Sequence, residues 1–169
     1  MPDHVIRPLT ASDIPKLVAI NDDAYPAVPI TPAEEFAELV ALATFALVAE
    51  RAGEPVGFLL AMDPGLDYAS ENYRWFSERS GDFLYVDRIA LAESARGSGL
   101  GRELYARVFE AARERGASEV VCEVNIEPPN PVSHAFHAAM GFTEVGRQST
   151  KGGAFVVSLK VAPVDDRVR

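Results

Sequence analysis

The chain has 169 residues, 48% of them apolar and 24% charged, a size that buries roughly 70% of the unfolded surface and so reads as one soluble α/β domain rather than a stapled mini-protein. Its 16 basic against 25 acidic residues give a net charge of −9, which repels a phosphate backbone and argues against nucleic-acid binding. Cys122, the one cysteine, excludes an internal disulfide and a cysteine-rich zinc site, and the lack of a leader or a membrane-length apolar run predicts a cytoplasmic protein with no membrane contact.

Val5, Ile6 and Leu9 predict a first strand, and Ser12-Asp13 precede Ile14, Leu17, Val18 and Ile20 at helical spacing. Thr31-Pro32 followed by Glu34-Glu35 predicts a second helix to about Ala43, with the Thr31 hydroxyl as its cap. The runs Phe45–Glu50 and Pro55–Met62, joined by Arg51-Ala52-Gly53-Glu54, read as a β-hairpin. From Asp63 to Asp82 no periodicity is evident, and the aromatics Tyr68, Tyr73, Trp75 and Phe76 make this long connection a candidate substrate lid, or else packing over a sheet edge. A strand over Phe83–Leu91, a helix over Leu100–Arg115 closed by Gly116, and a strand over Glu119–Asn125 follow. Asn130-Pro131 opens a short helix to Gly141, and Phe142–Gln148 and Ala154–Val161 read as closing strands around Lys151-Gly152-Gly153. The domain is expected over 1–162, with 163–169 a flexible tail.

The segment Arg96-Gly97-Ser98-Gly99-Leu100-Gly101-Arg102 follows an apolar strand and opens a helix whose Leu100, Leu104, Val108 and Ala112 share one face. Glycines let successive amides turn toward an anion, and a helix N-terminus adds free donors and a favourable dipole. Arg102 stands where a dinucleotide loop needs glycine, and no Gly-Lys-Ser/Thr is present, so neither NAD nor ATP is indicated. Arg96 and Arg102, within a group that includes Arg88, Arg107, Arg113 and Arg115, supply countercharge for a phosphate.

Strand, Arg-Gly-x-Gly-x-Gly, helix, then strand, asparagine, short helix and Gly141-Phe142 resembles the GNAT superfamily of acetyl-CoA-dependent N-acetyltransferases, closely over Phe83–Arg147. The resemblance implies a mixed, mostly antiparallel sheet flanked by helices, with two strands splayed by a bulge near Asp87-Arg88-Ile89. It implies acetyl-CoA as cofactor: pyrophosphate on Arg96–Arg102, and the pantetheine arm along Ile89, Ala90 and Leu91 and beside Asn130, Ser133 and Phe136. It also implies transfer to a primary amine, on a small molecule or a peptide, by direct attack in a ternary complex, and a possible homodimer. The alternatives are a non-catalytic coenzyme A sensor or an acyltransferase for a longer acyl-CoA.

Glu123 on its strand is the candidate base for the amine, with Asp87 its rival on the neighbouring strand. His137 stands where the family most often has a tyrosine that protonates the departing thiolate. Val132, Phe136, Ala139 and Met140 read as the core stripe of the short helix, which leaves His137 off it and open to catalysis. His134 and His137 are spaced as a metal pair, but no third ligand is suggested and no metal is expected.

Overall fold

A computed structural model describes residues 3–164. Seven strands, β1 (His4–Pro8), β2 (Phe45–Arg51), β3 (Glu54–Met62), β4 (Leu84–Leu91), β5 (Glu119–Glu127), β6 (Thr143–Thr150) and β7 (Phe155–Pro163), form one mixed sheet in the order β1-β2-β3-β4-β5-β7-β6. Five helices flank it: α1 (Ile14–Asp23), α2 (Ala33–Leu42), α3 (Glu71–Arg79), α4 (Leu100–Arg115) and α5 (Pro131–Ala139). The contacts group into two compact units, one of residues up to Met62 with Val86–Arg107 and one of Asp63–Tyr85 with Val108 onward. No helix among the described residues is long and apolar enough to cross a membrane.

In the first unit β1, β2 and β3 are antiparallel. The β2–β3 turn is two residues, Ala52 and Gly53, with φ of +52° and +81°, the left-handed pair whose twist matches that of a hairpin. Leu17 of α1 and Phe36 of α2 are buried with Val48, Phe58 and Leu60, the Phe36 and Phe58 rings meeting edge-on at 5.3 Å. Arg7 grips Asp13 through two bonds of 2.8 and 2.9 Å and Glu50 through a third of 2.8 Å. This holds the Asp13 carboxyl down to about 2, since an ion-paired carboxylate resists protonation. The Thr31 hydroxyl does not cap α2 as expected; it donates to Pro29 O and accepts from Arg88.

In the second unit β5 and β7 run antiparallel from the Glu119–Pro163 pair to Glu127–Val156, and β6 pairs with the far side of β7. The parallel ladder of β4 with β5 holds two residue pairs, Leu84 with Val120 and Tyr85 with Val121. The 63–82 connection is not aperiodic. Ser70 caps α3 by accepting from the Tyr73 amide, and Tyr73 and Phe76, three apart on one face, are buried against Phe83 and Tyr85. The C-terminal boundary also moves: Pro163 belongs to β7, and the Val164 amide donates to Ser118 O. Residues 165–169 of the expected tail lie outside the described residues.

Candidate active site

The loop expected to hold phosphate lies in the first unit. A short turn of 3-10 helix (Glu93–Ala95) leads to Gly97 and Gly99, with φ of +76° and +87°, a backbone an L side chain adopts only under strain. Gly99 O accepts the first α4 bond, from the Glu103 amide, so the amides before Glu103 have no partner within the helix. A Cβ on either glycine would meet nothing within 4 Å; glycine is required here by backbone conformation and not by crowding. Arg96 and Arg102 are exposed, and the Arg96 Nε donates to Leu91 O at 3.2 Å. Leu100, Leu104, Val108 and Ala112 are fully buried and fix the helix start that presents these amides. Open amides, positive dipole and two flanking guanidinium groups fit a pyrophosphate.

Arg88 is not part of that countercharge. It is buried on β4, donating to Asp87 Oδ2 at 2.8 Å, Asn21 Oδ1 at 3.2 Å and Thr31 Oγ1 at 3.0 Å, and so ties the end of α1 to the approach of α2. Arg115 is likewise occupied elsewhere, with Asp63. The Asp87 carboxylate, 4% exposed, compensates Arg88, which leaves it poorly placed to accept a substrate proton.

In the second unit Glu123 is half-buried on β5, and the Tyr85 hydroxyl donates to its Oε1 at 2.8 Å. Tyr85, within the strand predicted over Phe83–Leu91, is fully buried. Its only sequence signal was a polar-tipped aromatic in an apolar strand. Cys122, on the opposite face from Glu123 by alternation, is a buried core thiol.

Asn130 caps α5 as expected, its Oδ1 accepting from the Ser133 amide at 3.2 Å. The core stripe of that helix differs from the expected one. Val132 is 80% exposed and Ala139 is exposed, while His137 is 4% exposed. The His137 Nδ1–H donates to Ser133 O at 2.8 Å, and the ring sits edge-on between Phe136 and Phe142, 5.2 Å from each. The cause is the helix end: Gly141 turns left-handed (φ +95°), the Phe142 amide donates back to His137 O, and the Phe142 ring folds under the imidazole. Burial pushes the His137 pKa down, which favours the neutral ring over the imidazolium expected of an acid. His134 is engaged too, its Nε2–H donating to Asn125 O at 2.9 Å. Among the described residues no cluster of three metal-ligating side chains occurs.

Of the two readings of the 63–82 aromatics, lid or packing, the contacts are those of packing. Tyr73 and Phe76 are 2% and 1% exposed; the Tyr73 hydroxyl donates to Asp63 O and accepts from the Leu66 amide, so it staples the connection down. The Tyr68 ring meets Tyr73 tilted at 5.5 Å. Trp75 lies on Gly146, where a Cβ would come 2.6 Å from the indole. These rings form a packed layer.

A mixed sheet whose fourth strand feeds a glycine-rich anion cradle at a helix start defines an acyl-CoA-type transferase fold. Comparison with known proteins gives the family: the Acetyltransferase (GNAT) family matches residues 14–142, and the chain belongs to it. Glucosamine 6-phosphate N-acetyltransferase 1 of Oryza sativa subsp. japonica is 32% identical over 145 residues, 82% of this chain and 81% of the relative. Among solved structures, Ard1 from Thermoplasma volcanium superposes with a TM-score of 0.78 at 17% identity, over 98% of this chain and 100% of that one. The ribosomal-protein-alanine N-acetyltransferase of Brucella melitensis gives 0.72 at 26% identity, over 94% and 99%. YncA of Salmonella typhimurium, solved with its cofactor acetyl-CoA, gives 0.73 at 18% identity, over 99% and 98%. The chain is thus an enzyme of the N-acetyltransferase class, whose cofactor is acetyl-CoA.

Proposed function

We propose that this protein transfers the acetyl group of acetyl-CoA to a primary amine by direct attack within a ternary complex. The observation that carries the reading is the cradle: left-handed Gly97 and Gly99 delivering the open amides of α4 between Arg96 and Arg102. Those amides and guanidinium groups would hold the pyrophosphate, and the main chain of Ile89, Ala90 and Leu91 the pantetheine arm. When bound, acetyl-CoA would supply an acetyl group activated as a thioester, the C–N bond to the amine forming as the C–S bond breaks and coenzyme A leaves as the thiol.

The residues of this chain do the rest. Glu123, half-buried on β5, accepts a proton from the incoming ammonium directly or through water, freeing the lone pair that attacks. Asp87, paired with Arg88, and His137, buried with its pKa pushed down by burial, are not assigned the proton transfer. A carboxylate base and a net charge of −9 favour a cationic acceptor. The named acceptors of the relatives, glucosamine 6-phosphate and a ribosomal-protein alanine, make the first two probes.

Calorimetric titration with acetyl-CoA, with NADH and ATP as controls, tests the cradle; thiol release with the two probes and a panel of polyamines and amino sugars tests transfer. Selective acetyl-CoA binding followed by amine-dependent thiol release is expected. Failure to bind acetyl-CoA overturns the reading.

A further inference from the structure

Glu123 does not stand alone on its strand. In the β5–β7 ladder it lies opposite Leu159, and in the β6–β7 ladder Leu159 lies opposite Gly146. Residues directly opposite in a ladder share a face, so Glu123, Leu159 and Gly146 form one row across three strands on one side of the sheet. The row is covered from its far end: the Trp75 indole rests on Gly146, and Leu159 is fully buried. Glu123, at the other end of the row, is half-buried. Helix α3 is therefore a fixed wall on the β7 side of the carboxylate.

The same helix clamps the group that grips Glu123. Tyr85 donates to Glu123 Oε1 at 2.8 Å, and its ring is held edge-on by Tyr73 at 5.5 Å and tilted against Phe76 at 6.0 Å. Helix α3 is itself tied to the end of β6 and the turn after it, by Gln148 to Asn72 and by the Lys151 amide to Glu71. A buried phenol packed between two rings fixes one carboxylate oxygen of Glu123.

We propose that Tyr85 is a positioning residue for the base, and that α3 holds it in place by packing its ring. It acts through Glu123 and touches neither amine nor cofactor. This rests on Glu123 being the base in the function proposed above. The Tyr85 hydroxyl donates one hydrogen bond to Glu123 Oε1, which fixes the orientation of the carboxylate.

The test is a double-mutant cycle of Tyr85→Phe and Glu123→Gln, assayed by thiol release with whichever probe, glucosamine 6-phosphate or an alanine-initiated peptide, the parent protein acetylates. Tyr85→Phe keeps the ring and its contacts with Tyr73 and Phe76, so the fold and acetyl-CoA affinity are expected to hold while kcat falls on the order of tenfold, the size of one hydrogen bond to a charged group. In the Glu123→Gln background the same change is expected to cost less than about twofold, because the group it positions has lost its charge. Restoring the hydroxyl at the ring, as 3-fluorotyrosine at position 85, should restore kcat to near the parent value. Full activity of Tyr85→Phe, or equal losses in both backgrounds, overturns the inference while leaving acetyl transfer intact. Absence of turnover by the parent with every amine tried overturns the function, and the inference with it.

Discussion

Replacing His137 with alanine separates packing from proton transfer. The imidazole is 4% exposed, bonded to Ser133 O and flanked by two aromatic rings at 5.2 Å. Deleting it removes one hydrogen bond, worth about 1 kcal/mol, and opens a cavity between Phe136 and Phe142, for a total of about 2–4 kcal/mol. In a chain of this length each kcal/mol moves Tm by roughly 2–4 °C, so Tm is expected to fall by about 4–16 °C. At 25 °C kcat should stay within about threefold of the parent, against the 100-fold or greater loss that removal of a general acid brings. A pH series adds a second readout. The folded-state pKa of His137 lies below its ordinary value, so below about pH 6.5 the unfolded chain binds a proton that the folded chain does not. Its contribution to stability is therefore full above that pH and declines as pH falls toward the folded-state pKa; His137→Ala should flatten this part of the profile. A large loss of kcat with unchanged Tm and acetyl-CoA affinity would refute the packing argument.

The remaining expectations follow from single contacts. Gly99→Val places a β-branched side chain at φ +87° and should abolish acetyl-CoA binding by calorimetry while circular dichroism stays near that of the parent. Glu123→Gln should lower kcat/KM most at acidic pH, where the amine is most fully protonated; parallel profiles for variant and parent would remove Glu123 from the mechanism. Asp13→Asn breaks the grip of Arg7 and should cost about 1 kcal/mol in denaturant unfolding at neutral pH, a figure discounted for solvent screening at the partly exposed guanidinium. Because the Asp13 pKa falls from 3.8 to about 2, that contribution is present above pH 4 and lost between about pH 4 and 2, where parent and variant should converge. Gly146→Ala drives a methyl into the Trp75 indole and should destabilise by about 1–3 kcal/mol, seen as a lower Tm and faster proteolysis within α3.

Local rules carried much of the fold. The two-residue turn at Ala52-Gly53, the Asn130 cap and the buried face of α4 at Leu100, Leu104, Val108 and Ala112 are governed by neighbours within a few positions, and each was legible in the residues themselves. Helix α3 was signalled by Ser70, Glu71 and the Tyr73–Phe76 spacing, but its nine residues are mostly polar, and a helix that short draws its stability from tertiary packing rather than propensity. On α5 the spacing of Val132, Phe136, Ala139 and Met140 pointed to the wrong face, because Phe142, beyond the helix end, decides which side is covered.

By itself the sequence determined the order of elements and the glycine cradle at the start of α4, since left-handed backbone and helix-start amides are properties of a single contiguous stretch. Which titratable groups are free was decided only by the tertiary structure. Asp87 is engaged by Arg88 on its own strand, but Arg88 is buried by contacts to Asn21 and Thr31, 67 and 57 positions away. His137 is enclosed by Phe142, and Glu123 is gripped by a tyrosine 38 residues upstream. Burial and hydrogen bonding set the charge state of each group, and both depend on residues that only folding brings together.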